Sequence, residues 1–103
     1  MPVDIDPAQV PVLIVYNMDP SWDVQDRQEV ESISDRLGRA IAEVGHPTSL
    51  IPVKNECIAE HLYPYHPLEH IVLNWCEGIP GVPHSEWMVA DAMERQGFVY
   101  TGA

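Results

Sequence analysis

The chain of 103 residues is long enough for one small domain and too short for two of ordinary size. Hydrophobic residues make up 46% of it and charged ones 20%, which supplies a core and excludes global disorder. Five Lys and Arg against 16 Asp and Glu give a formal charge of −11, which repels phosphate backbones and anionic bilayers, so neither nucleic acid nor membrane is an expected partner.

No apolar run reaches the ~20 residues of a membrane span. The opening Met1-Pro2-Val3-Asp4-Ile5-Asp6 lacks the basic and apolar regions of a signal peptide, and a cytoplasmic setting is expected. Two cysteines, Cys57 and Cys76, are too few for a disulfide framework and are expected as free thiols.

Residues 1–10 hold acids and prolines without periodicity and read as a flexible leader to a domain over 11–103. Val12-Leu13-Ile14-Val15-Tyr16 is a continuous β-branched and aromatic run, the pattern of a strand buried on both faces of a parallel sheet. Asn17 and Asp19 end it. Val30, Ile33, Leu37, Ile41 and Val44 then recur at spacings of three or four and predict an amphipathic helix over about 23–44. Asp23, Asp26 and Glu29 suit its positive end, and Gly45 with Pro47 suits its termination.

Ser49-Leu50-Ile51-Pro52-Val53 predicts a second strand, whose proline argues for an edge. Asn55 is placed to cap a short helix through Leu62, and the prolines of Tyr63-Pro64-Tyr65-His66-Pro67 make that segment a loop. Ile71-Val72-Leu73-Asn74-Trp75 predicts a third buried strand, followed by the turn-rich Cys76 to Pro83. Ser85 is placed to cap a helix with Val89, Ala92 and Met93 on its apolar face, Gly97 closes it, and Phe98-Val99-Tyr100 reads as a short fourth strand. The order of these elements predicts a three-layer α/β domain with a mostly parallel four-stranded sheet, order 2-1-3-4, and right-handed crossovers.

In such sheets a ligand lies beyond the carboxyl ends of the strands where the winding reverses. That crevice falls between strands one and three, walled by Asn17 to Asp23 and by Cys76 to Gly81. Glu77, Gly78 and Gly81 put a carboxylate and freely approached backbone directly after a strand, although Gly and Pro at such a place also serve turn geometry alone. Asp19 and Asp23 are placed to hold an ammonium group, or merely to charge the start of the first helix.

Other chemistry is weaker. No G-x-G-x-x-G or G-x-x-x-x-G-K-[ST] run is present, and Lys54 is the only lysine, so a nucleotide site would lie mostly elsewhere. Cys57, His61, His66, His70, Cys76 and His84 are conceivable zinc ligands, but the proline loop breaks the alignment of the two four-residue spacings and solvated histidines are the default. A nucleophilic set of Cys76, His84 and Glu86 is rarer still. Trp22, Trp75 and Trp87 read as core or crevice wall.

Taken together, Val12 to Asn17, the helix with Leu37, Ile41, Gly45 and His46, the run Ile71 to Gly78 and the closing Glu94 to Ala103 resemble the N-terminal, pre-ATP-grasp domain of D-alanine–D-alanine ligase-like ATP-grasp proteins. Gly97-Phe98-Val99-Tyr100-Thr101-Gly102-Ala103, similar to that family's Gly-Ile-Pro-Tyr-Thr-Gly-Ser, is the most specific piece. The resemblance implies a Rossmann-like domain that packs against an ATP-grasp domain and walls the pocket of a small amino-acid-like substrate. The complete ligase would use Mg-ATP to activate a carboxylate for attack by an amine. Asp23 sits nearest the family's substrate-orienting glutamate, and Glu77 matches the histidine of its His-Gly-x-x-Gly turn. Both positions depart from the ligase pattern. With no ATP-grasp residues before Ala103, the chain by itself is expected to hold no cofactor and to be inactive. The alternative is a free-standing interaction or small-molecule-binding module derived from that domain, with a self-association partner.

Overall fold

The computed structural model describes residues 9–101, so most of the expected leader, and Gly102-Ala103 of the closing motif, lie outside the described residues. The elements run β1 (Val12–Asn17), α1 (Val24–Glu43), β2 (Thr48–Val53), α2 (Ile58–Leu62), β3 (Ile71–Trp75), α3 (Glu86–Arg95) and β4 (Val99–Thr101). All four strands are parallel, in the order β2-β1-β3-β4. The architecture is the three-layer α/β fold with the expected strand order.

Alternation along β1 divides its side chains between two helical layers. Leu13 and Val15 join Ile51 and Val53 of β2 and Val72 of β3 in one cluster, covered by Ile58 and Leu62 of α2 and by Val89 and Met93 of α3. Ile14 points the other way, toward α1. β2 lies at a sheet edge, where Pro52, opposite Tyr16, removes no donor that a further strand would need.

The helix α1 departs from its expected packing. Its buried residues are Ser34 and Gly38, while Ile33 and Val44 are 39% and 73% exposed. The helix rests on the sheet at this point, where a Cβ on Gly38 would already be in van der Waals contact with Leu50 Cδ2 at 3.4 Å and Ile14 Cδ1 at 3.8 Å. The two small residues form the contact ridge, and the larger apolar side chains flank it instead of lying beneath it.

Because α1 packs chiefly on β1 and β2, no helix among the described residues packs as extensively on the same face of β3 and β4. There Ile71 and Leu73 are half-buried, and Trp75 and Val99 are exposed at 42% and 65%. β3, expected as a buried strand, is therefore fully buried only at Val72 and Asn74 on its other face. β4 begins one residue later than expected, and Phe98 instead closes the core.

Candidate functional site

The winding reverses between β1 and β3, and the loops leaving these strands enclose a crevice of about 300 Å³. Asn17, Asp19, Glu77, Gly78 and Gly81 all line it. Asp23 does not. Its carboxylate accepts the Asp26 N–H at 2.8 Å and caps α1, satisfying one of the donors a helix start leaves open.

The first wall is a tight turn at Asp19-Pro20-Ser21-Trp22, closed by Trp22 N–H donating to the Asp19 carbonyl at 3.1 Å. The Ser21 hydroxyl and the Ser21 N–H both donate to Asp19 Oδ1, at 2.7 and 2.8 Å. These bonds hold the Asp19 carboxyl below its ordinary pKa and fix the direction in which the charge faces.

The second wall is organised around Ser85. Ile79-Pro80-Gly81-Val82 is a turn with Pro second and Gly third, closed by Val82 N–H on the Ile79 carbonyl at 3.0 Å, and Gly81 has the positive φ of +81° that this third position demands. Buried Ser85 laces it: its hydroxyl accepts from Ile79 N–H at 2.6 Å and donates to the Val82 carbonyl at 2.7 Å. A Cβ on Gly78 would stand 3.1 Å from that hydroxyl, so a side chain there would displace it. Ser85 occupies the N-terminal position of α3 but makes no cap bond, contrary to its expected role, and its hydroxyl is directed into the turn instead. Asn55 likewise bonds Cys57 N–H in a turn one step before α2 rather than capping it.

One hydrogen bond joins the walls, from Glu77 N–H to Asn17 Oδ1 at 3.2 Å. The sequence placed Asn17 at the end of the first strand and in the crevice wall without this bond to the facing wall, and Ser85 only as a cap. A polar amide at the end of β1 facing the crevice was the available signal for the first.

A second cleft, of about 180 Å³, lies on the α1 side and shares Asn17, Trp22 and Glu77 with the crevice. Trp75, Tyr16, Val30 and Ile33 supply its apolar surface. Burial, and then the charge of Glu31, push the Tyr16 hydroxyl pKa upward. Trp22 is thus crevice wall as expected and Trp75 lines only the second cleft, whereas Trp87 is 66% exposed on α3 and belongs to neither core nor crevice.

The thiol reading finds little support. Cys76 is buried and donates to the Gly78 carbonyl at 3.1 Å, and desolvation, the largest influence, raises its pKa, so the thiol stays protonated at neutral pH. Among the described residues no hydrogen bond joins it to His84 and no three His, Cys, Asp or Glu side chains gather as a metal site. The Nδ1 atoms of His61 and His70 are engaged with the carbonyls of Cys57 and His66 four residues earlier. No helix among the described residues is long and apolar enough to cross a membrane.

The chain matches no known protein family, no characterised protein and no solved structure. Its chemistry is therefore read from the crevice itself. Two carboxylates, Asp19 and Glu77, face a space bordered by glycine backbone and by indole, a combination suited to a small molecule carrying a cationic nitrogen.

Proposed function

We propose that the chain is the N-terminal, substrate-side domain of an ATP-dependent carboxylate–amine ligase of the D-alanine–D-alanine ligase-like kind. The observation that carries this reading is the meeting of Asp19, Glu77, Gly78 and Gly81 at the single reversal of the sheet's winding. In this reading Asp19, kept ionised by Ser21, receives the ammonium of an amino-acid-like substrate. Glu77 adds a second carboxylate at the opposite wall, and Gly78 and Gly81 permit close approach. Mg-ATP and the acyl transfer would belong to the ATP-grasp domain of the complete ligase, with this chain alone supplying no catalysis. Work in the cytoplasm accords with the two unpaired cysteines.

The test is a titration of the isotopically labelled chain with D-alanine and other small amino acids. Saturable movement of the amide signals of residues 17–22 and 77–81 is expected, and it is to be lost in Asp19→Asn. If those signals stay in place for every amino acid tried, the substrate-side reading is wrong.

A second reading, a non-catalytic interaction module, is favoured by one observation: the face of β3 and β4 on which Trp75 and Val99 are exposed. Tyr100 is not part of that face, since it packs against the core on the other side. Light scattering after size exclusion separates the readings. A dimer that Trp75→Glu converts to monomer supports self-association through this face, and a monomer at all concentrations removes self-association from the account.

A further inference from the structure

The five basic side chains of this acidic chain are not used alike. Arg39 and Arg95 are tied to Asp35 and Asp91 at 2.8 and 2.7 Å on the outer faces of their helices. Arg36 is exposed on α1. Arg27 and Lys54, the only lysine, have no ion-pair partner among the described residues, yet both line one pocket of about 280 Å³.

The pocket's position follows from the fold. Met18 and Lys54 directly follow β1 and β2, whose pairing is prolonged by Met18 N–H on the Val53 carbonyl at 2.9 Å. Arg27, Gln28 and Glu31 come from the first two turns of α1, and Pro20 and Val24 complete an apolar side. The site thus lies beyond the carboxyl ends of the strands, on the β2 side of the loop whose other side forms the crevice with Asp19.

Arg27 Nε is buried and has no hydrogen-bond partner, the sole such side-chain nitrogen or oxygen among the described residues. A buried N–H without an acceptor is rare in native proteins, and a guanidinium's fork of donors fits the paired oxygens of a carboxylate or a phosphate. Glu31 stands four residues after Arg27 without closing an ion pair on it. Arg27 and Lys54 against Glu31 leave one net positive charge by formal count. That balance favours a singly charged anion over a phosphate dianion, and the apolar side favours a short hydrocarbon body.

We infer that this pocket is a binding site for the carboxylate group of a small organic monoanion, held by Arg27 and Lys54. The inference does not depend on the ligase reading. Its distinguishing reporters, Arg27, Gln28 and Lys54, lie outside the 17–22 and 77–81 segments that report on the crevice, so either idea can fail alone.

The test titrates the labelled full chain with propionate, with its neutral isostere propionamide, and with inorganic phosphate. Propionate is expected to move the signals of Met18, Arg27 and Lys54 saturably, with a dissociation constant of about 1 mM for a ligand of this size. Propionamide is expected to move none of them, and phosphate to bind more weakly. Lys54→Met, at an exposed position where folding is not at risk, is expected to weaken propionate binding about tenfold, as is Arg27→Gln. Glu31→Gln is expected to strengthen it a few-fold, a gain that general loosening of the fold would not produce. Equal responses to propionate and propionamide, non-saturating shifts that include Arg36, or no response would each overturn the site.

Discussion

Asn17 and Glu77 lie 60 residues apart in sequence and are joined by one hydrogen bond, the Glu77 N–H on Asn17 Oδ1 at 3.2 Å. Through it the end of β1 fixes the start of the loop that leaves β3, so the two crevice walls are positioned together.

Asn17→Ala is expected to cost about 1 kcal/mol or less, because the bond is exposed and water can replace the lost acceptor. The sharper readout is local. Hydrogen exchange at the Glu77 amide should quicken, while Asn17→Asp, which retains an acceptor oxygen, should largely preserve protection. Unchanged exchange at Glu77 in the alanine variant would show that the walls are held by other means.

The Asp19 turn makes the crevice sensitive to acid. The carboxyl pKa is lowered in the folded chain by the Ser21 hydroxyl and Ser21 N–H, so its contribution is fully present above the ordinary carboxylate pKa. It is lost as pH falls through the lower folded value. Carboxyl-detected NMR across the acid range should find Asp19 titrating below exposed carboxylates elsewhere in the chain. Ser21→Ala, which removes the larger influence, should move it back toward them.

Strand order and the parallel sheet were legible because the apolar runs at 12–16, 49–53 and 71–75 are separated by helical spacings too long for hairpins. The crevice followed from that order, and Asp19, Glu77, Gly78 and Gly81 line it. Asp23 could not be separated from them by sequence, because a helix-capping carboxylate and a crevice carboxylate are the same residue type in the same loop. The face of α1 was misread for a related reason. Periodicity weights large apolar residues, whereas the buried positions of α1 are Ser34 and Gly38, the latter against Ile14 and Leu50, and both carry almost no hydropathic signal. Exposure of Trp75 depends on which half of the sheet a helix covers, a tertiary fact invisible in its strand's composition.

Ser85→Ala should be among the more damaging single-atom deletions. It removes a hydroxyl that is 2% exposed with its residue and serves Ile79 N–H and the Val82 carbonyl together. An unsatisfied buried donor costs about 1–3 kcal/mol, and Ile79 is itself in the core. Urea denaturation should show a loss in that range. A loss below about 0.5 kcal/mol would mean that water enters the turn and takes over both bonds.

Gly38 offers a test in which two substitutions at one position act with opposite sign. At a mid-helix site glycine is about 1 kcal/mol less favourable than alanine. A Cβ there would meet Leu50 Cδ2 at 3.4 Å, Thr48 Cγ2 at 3.6 Å and Ile14 Cδ1 at 3.8 Å, which are ordinary van der Waals contacts. Gly38→Ala is therefore expected to leave stability unchanged or raise it by up to about 1 kcal/mol. Gly38→Leu has no space for its further carbons between α1 and the sheet, and it should destabilise by about 1–3 kcal/mol as the helix is forced outward. Thermal melts of both variants decide the matter. Equal tolerance of alanine and leucine would mean that α1 does not rest on β1 and β2 through this residue.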